Sequence, residues 1–277
     1  MRSFGIETEK VFFTHNKTDS VPENLNSRHC HDKYEILYVF EGSGKYIIEG
    51  VEYPVKPRTL VIIPPLCYHC TQVDAGTAYE RCVLYFDKDS VTESVKNAMD
   101  KVAELSQMAG AFYPPEAISD AVTSLFDRFE YVSSFPEEEK DGYARLLLSE
   151  LILFLSFART EFYMRDDGEL GARVIRYLNQ NMDKDISLDK LAKRFFVSKY
   201  YLCRAFKKHN GISIHGYINQ KRVMYAKQLI ESGETASGAA YRVGFGDYSA
   251  FYRAYVKIVG RSPTQTEERI KDELRNT

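Results

Sequence analysis

Residues 10–86 carry the apolar pattern of β-structure. YEILYVF (34–40), KYIIE (45–49), TLVII (59–63) and YERCVLYF (79–86) are short runs rich in β-branched and aromatic residues. Gly42, Gly44, Gly50, Pro57, Pro64 and Pro65 interrupt the pattern between some of them, as turns require. Several short strands at close spacing predict a small barrel or sandwich. The period changes after Asp87. Residues 91–108 and 116–132 have helical spacing, with Gly110, Pro114 and Pro115 between them, and residues 140–162 predict a third helix. Its centre, LLLSELILFLSF, is apolar on nearly all sides, so it has more than one face to bury. Burial within one chain and burial of one face on a second copy both satisfy that pattern. Asp166, Asp167 and Gly168 read as a polar linker, and the remainder is helical. The expected class is α+β and multidomain. A barrel spans 1–90, a helical segment suited to dimerisation spans 91–165, and an all-α domain spans 170–277.

Charge sharpens this division. The chain of 277 residues has a formal charge of -2. Residues 170–277, however, hold 20 Lys/Arg against 10 Asp/Glu, and residues 1–169 hold 17 against 29. A basic half joined to an acidic half suggests that the basic half meets a polyanion. No apolar run reaches the ~18 residues that span a bilayer. The opening MRSFGIETEK lacks the apolar core of a signal peptide. A cytoplasmic protein with no membrane partner is therefore expected. The five cysteines are odd in number, which argues against a disulfide framework. Cys67-x-x-Cys70 lacks the second Cys/His pair that a zinc-finger site needs.

The basic half contains SLDKLAKRFFVSKYYLCRAFKK (187–208). Ser187 can cap a short helix whose apolar face is Leu188, Leu191, Ala192 and Phe195. Val197 and Ser198 make a turn, and Ser198 caps a second helix. That helix buries Leu202, Ala205 and Phe206, and it presents Lys199, Tyr200, Cys203, Arg204 and Lys207. Two short helices at a sharp angle, the second basic and aromatic, suit the major groove. A similar unit follows: a short helix over 235–242, a turn at Val243-Gly244, and a helix capped by Asp247 running to about Val259. Phe251 and Tyr255 face inward, whereas Tyr248, Ser249, Tyr252 and Arg253 are candidates for the DNA side. A long helix over 215–231 would fix the separation of the two units.

These residues resemble the arabinose-regulator (AraC) family of bacterial transcription factors. The match runs through LAKRFFVSKYYLCRAFKKHNGISIHGYINQKRVMYAKQLI and GFGDYSAFYRAYVKIVGRSP, within about residues 172–270. The resemblance implies two helix-turn-helix units, each placing its second helix in the major groove. Carried over by motif position, Tyr200, Cys203 and Arg204, then Tyr248, Ser249 and Arg253, are the base-facing candidates. The second unit departs from the family. Ala236 and Ala239 stand where larger aliphatics are usual, Gly238 weakens the helix, and Tyr255-Val256-Lys257 replaces Phe-Lys-Lys. Looser packing, and a smaller contribution from Arg253 than from Arg204, are the expectation.

In the acidic half, His29, His31 and Glu35 share parity, so an unbroken strand would point them to one face. His69 follows the Pro64-Pro65 turn. Such a set could bind a divalent metal. H-x-H-xxx-E-x6-G also resembles the first metal motif of cupins. The second cupin motif matches in part: Pro64 and His69 are in place, but Arg58 and Leu66 stand where cupins often have Gly. His29, His31, Glu35, Tyr38 and His69 are the candidate effector-binding residues, with Tyr34, Tyr46 and Tyr68 as further aromatics. No catalytic residue is assigned and no cofactor is required, although a divalent metal at the His/Glu set is compatible with the residues. The expected function is sequence-specific regulation of transcription. Its expected partners are double-stranded DNA, a small-molecule effector (a sugar by default), a second copy of the chain in a homodimer, and the transcription machinery. The alternative is a metal-dependent cupin enzyme with a DNA-binding tail.

Overall fold

The computed structural model describes residues 2–22, 28–106, 110–160, 170–182 and 186–266. The expected linker at 166–168 lies outside the described residues. Contacts group the chain into two units: residues 1–29 with 33–164, and residues 165–277 with 30–32.

The described residues of the first unit form nine strands: β1 (Arg2–Glu7), β2 (Val11–Thr18), β3 (Tyr34–Glu41), β4 (Gly44–Ile48), β5 (Val51–Val55), β6 (Leu60–Ile63), β7 (His69–Val73), β8 (Tyr79–Phe86) and β9 (Ala111–Tyr113). They form a six-stranded sheet, β1-β2-β8-β3-β6-β9, and a three-stranded sheet, β5-β4-β7. The four apolar runs of the sequence are β3, β4, β6 and β8. Sequence pattern alone did not single out β5, because Pro54 lies within it. In the structure β5 is an edge strand, where a proline costs no ladder hydrogen bond on its open side. Glu49 and Gly50 join β4 to β5 with φ of 49° and 79°, a two-residue connection of the type I′ form that suits strand twist.

Among the described residues, helices α1 (Lys96–Ser106), α2 (Asp120–Tyr131) and α3 (Glu137–Phe157) cover the large sheet. The first starts later than its periodicity suggests, because residues 88–90 and 93–95 form single 3-10 turns. Strand β3 has two buried faces. Ile36 and Tyr38 join the core shared with the helices, whereas Leu37 and Val39 join the core between the sheets. Tyr38 stacks on Phe126 of α2 at 4.5 Å, and its hydroxyl meets Thr123 Oγ1 at 2.9 Å. Phe13 stacks on Phe129 at 5.1 Å. The helical segment thus shares a core with the strands. Helix α3 buries Leu147, Leu148, Leu151, Ile152 and Leu155 in its own chain and leaves Leu146, Leu153, Phe154 and Phe157 exposed.

The second unit contains α4 (Leu170–Asn179), α5 (Leu188–Arg194), α6 (Lys199–Asn210), α7 (Ile214–Glu231), α8 (Ala236–Arg242) and α9 (Tyr248–Val259). Ser187, Ser198, Ser213, Thr235 and Asp247 cap α5 to α9, each side chain accepting from a backbone N–H in the first turn. Helices α6 and α9 end on Gly211 and Gly260 in the left-handed region, the usual stop signal. Helix α4 approaches α6 so closely that a Cβ on Gly171 would lie 2.5 Å from His209 Cβ. Phe206 meets Tyr217 edge-on at 5.8 Å, and the Tyr217 hydroxyl donates to Asn179 Oδ1 at 2.7 Å.

The second helix-turn-helix does not pack loosely. Ala236, Ala239 and Ala240 of α8 are all buried. Phe245, Phe251 and Tyr255 stand in successive edge contacts at 5.3 and 5.4 Å and belong to the same core. Small residues on one helix are matched by aromatic rings on the next.

These cores give a direct stability test. Phe129→Ala removes a fully buried ring and should cost the first unit about 3–5 kcal/mol. Glu104→Ala, on the exposed side of α1, should change stability by no more than ~0.5 kcal/mol. Urea unfolding of the full chain, followed by far-UV circular dichroism, distinguishes the two; equal losses would mean that the cores are misassigned.

Candidate nucleic-acid interface and effector site

The two short-helix units of the second domain are built alike. The backbone N–H groups of Phe195, Phe196 and Val197 donate to the carbonyls of Leu191, Lys193 and Ala192. Those of Val243, Gly244 and Phe245 donate to Ala239, Tyr241 and Ala240. The bond patterns superpose residue for residue, so the turns are equivalent. Each is followed by a twelve-residue helix, α6 and α9. Arg204 and Arg253 are both the sixth residue of their helix, and both are exposed.

The other candidates divide by exposure. Lys199, Tyr200, Lys207, Ser249 and Tyr252 are exposed, whereas Cys203 and Tyr248 are half-buried. Tyr248 turns part of its ring to Phe251 at 5.7 Å. Lys199 pairs with Asp189 at 2.6 Å. A residue that sequence reasoning did not single out is Arg222 on α7. Its guanidinium donates to Gly244 O at 2.8 Å and to Met182 O at 3.4 Å. A Cβ on Gly244 would lie 2.9 Å from that guanidinium, and φ there is +88°, so glycine is needed on both counts. No periodicity signals such a contact, because it joins a helix to a turn 22 residues away.

In the first unit, Glu35 at the start of β3 and His69 at the start of β7 are buried together. His69 Nδ1 donates to Cys67 O at 2.8 Å, which turns Nε2 to Glu35 Oε2 at 3.1 Å. Burial disfavours the charged imidazole, but the Glu35 carboxylate and the hydrogen bonds outweigh it and raise the His69 pKa above its ordinary value. His29 and His69 form an isolated β-bridge, with rings 4.5 Å apart. His29, His31, Glu35 and His69 each offer a ligand atom, and these atoms all lie within 4.8 Å of one another. Three imidazoles and a carboxylate are a donor set that a divalent transition metal accepts, and the Nδ1–H···O=C bond orients His69 as metal-binding histidines usually are. The residues present therefore fit such an ion.

They do not meet through one unbroken strand, as parity alone suggests. Strand β3 begins only at Tyr34, and His29 is placed by its bridge to His69. Tyr38, expected beside them, is displaced by the same period of two. It lies on the opposite face of β3, in the core under α2. Tyr46 does lie between the sheets, its hydroxyl 3.0 Å from that of Tyr79. Tyr85 was not foreseen; burial and the neighbouring Glu35 raise its hydroxyl pKa.

The two cupin departures have a backbone explanation. Arg58 and Leu66 adopt φ of 67° and 65°, the left-handed region that favours glycine. Arg58 is held by Asp120 at 2.7 Å. Leu66 follows Pro65 in a turn closed from Cys67 N to Pro64 O at 3.3 Å. The turns persist without the glycines.

Comparison with known proteins agrees with this division. The AraC-like ligand binding domain family matches residues 19–155, and a helix-turn-helix domain family matches residues 191–269. The uncharacterized HTH-type transcriptional regulator YbfI of Bacillus subtilis is 28% identical over 235 residues, 80% of this chain and 79% of that protein. The HTH-type transcriptional activator RhaS of Escherichia fergusonii is 24% identical over 264 residues, 90% of each chain. Among solved structures, ToxT from Vibrio cholerae is 13% identical, covering 95% of this chain and 98% of its own, with a TM-score of 0.38. The chain belongs to the AraC family of ligand-responsive, DNA-binding transcription regulators.

Proposed function

We propose that α6 and α9 read two successive major-groove segments of one operator, with Arg204 and Arg253 as paired base contacts. The observation that carries this reading is the equivalence of the two turns and of the two arginines after them. Helix α7, with 18 residues, is about 27 Å long. That is the scale on which groove segments recur on one face of B-DNA, ~34 Å. An arginine can bond bidentately to guanine O6 and N7, which discriminates by roughly 1–3 kcal/mol. The remaining exposed cations serve phosphate contacts, which position without specifying.

The effector contacts are His29, His31, Glu35 and His69. Their clustered polar groups, half-buried at His29 and His31 and buried at Glu35 and His69, suit a small molecule rich in hydroxyl groups, and a carbohydrate is the class proposed. Where a divalent cation is bound, the same four residues would hold it, and it would supply a positive centre for the effector's oxygens.

The chain acts as a homodimer through α3, delivering the transcription machinery to or from its promoter in the cytoplasm. Leu146, Leu153 and Phe157 are spaced seven and four residues apart and are exposed, Phe157 by 79%. Glu150, on the same stripe, is engaged by Arg128 at 3.0 Å. A stripe of that spacing is the seam of a paired helix.

Three measurements test these assignments. Arg204→Ala and Arg253→Ala should each weaken binding to an operator selected by the wild type about tenfold, while scrambled duplex is held nearly as well. The two losses should be similar, since both helices are equally capped and packed; equal losses on both duplexes would make the arginines phosphate contacts only. In a thermal-shift screen of sugars, metabolites and divalent cations on the full chain, a binder should raise the melting temperature, and Glu35→Gln should abolish that rise. A rise that survives Glu35→Gln would place the effector elsewhere. Leu153→Asp should shift the chain toward monomer in light scattering while its far-UV circular dichroism stays that of the wild type. Leu147 and Leu151, apolar in the same run, are fully buried in their own chain and would instead unfold it. A wild type that is monomeric at tens of micromolar would remove the dimer proposal.

A further inference from the structure

Four non-glycine residues among those described have a positive φ: Glu49, Arg58, Leu66 and Phe196. Three have a visible hold on the strained backbone. Glu49 is buried and accepts from Tyr68 N at 2.7 Å. Arg58 reaches Asp120, and Leu66 sits in a proline turn. Phe196 differs. It has φ of 55° and is 94% exposed. Its ring therefore packs on almost nothing in this chain. The equivalent turn position of the second unit is Gly244, at φ of 88°. Gly244 must lack a side chain because Arg222 lies against it. No such neighbour constrains position 196, yet the residue there is a large apolar one in a conformation that favours glycine. A backbone outlier whose large apolar side chain has almost no contact inside the molecule points to a role outside it.

The surroundings specify the partner. Phe196 stands two residues before Ser198, the N-cap of α6. In helix-turn-helix proteins the N-terminal end of the second helix meets the base edges. Lys193, Arg194 and Lys199, on either side of Phe196 in the sequence, are exposed cations, which suits a polyanionic partner. Within the major groove, the apolar group that a phenyl ring can meet is the thymine C5-methyl. We propose that Phe196 is a specificity-determining residue of the first helix-turn-helix unit, its ring making an apolar contact with a thymine methyl in the groove that α6 enters. The inference rests on the reading of α6 as a groove-entering helix.

The test uses Phe196→Gly and Phe196→Asn in the full chain, with Arg204→Ala alongside. Each is titrated against a duplex selected by the wild type from a random pool and against a scrambled duplex. Both Phe196 variants should melt no lower than the wild type, because glycine and asparagine accept a positive φ. Both should bind the selected duplex about tenfold more weakly, the scale of one buried apolar contact, and should bind scrambled duplex unchanged. Selection repeated with Phe196→Gly should lose a thymine preference at one position. Unchanged affinity for the selected duplex, an equal loss on both duplexes, or a lower melting temperature would each overturn the assignment. If Arg204→Ala weakens binding while the Phe196 variants do not, α6 still reads the groove and this inference alone falls. If none of the three variants matters, the reading of α6 falls with it.

Discussion

The stack of Tyr38 on Phe126, with ring centroids 4.5 Å apart and planes nearly parallel, fixes how the first unit is built. It commits the even-numbered residues of β3 to the helices. By the period of two, it commits Glu35, Leu37 and Val39 to the space between the sheets. A slip of one residue would exchange these sets and bring Glu35 under α2. The Tyr38 hydroxyl, satisfied by Thr123, lets an aromatic of that size be buried without an orphaned polar group. Everything proposed for the effector site depends on this register, since Glu35 meets His69 only from the inner face.

Backbone strain is distributed unevenly over the two units. Each left-handed non-glycine residue costs roughly 1–2 kcal/mol. In the first unit two of the three such residues, Glu49 and Leu66, lie at turns beside the His/Glu cluster. Glu49 binds the backbone of Tyr68, next to His69, and Leu66 precedes Cys67, whose carbonyl orients the His69 ring. These turns hold the cluster through hydrogen bonds to chain segments rather than through one strand. A small effector that contacts the four residues would thus act on several connections at once.

The second unit obtains similar geometry from dissimilar residues. The first helix-turn-helix buries Leu191 and Leu202 along with Phe206, whose ring meets Tyr217. The second uses alanines against Phe245, Phe251 and Tyr255. Packing density, not residue size at any one position, is what a core requires. Arg222 adds a polar clasp between α7 and the second turn, so the long helix holds that turn by hydrogen bonds as well as by apolar contact.

The sequence by itself determined the local features. The capping residues Ser187, Ser198 and Asp247, the helical periods of α5 to α9, the strands β3, β4, β6 and β8, the acidic-to-basic change along the chain, and the set of His29, His31, Glu35 and His69 were all legible. The caps, helical periods and strands are set by neighbours within a few residues, where propensity, capping and period act. The short strand β9, the proline-containing β5, the burial of Tyr38 away from the cluster, the filling of the space beside α8 and the clasp of Arg222 were decided only by the tertiary structure. Each depends on a partner far along the chain. The face on which a side chain is buried, and whether a small residue leaves a void, are properties of two packed surfaces, and the linear pattern records only one of them.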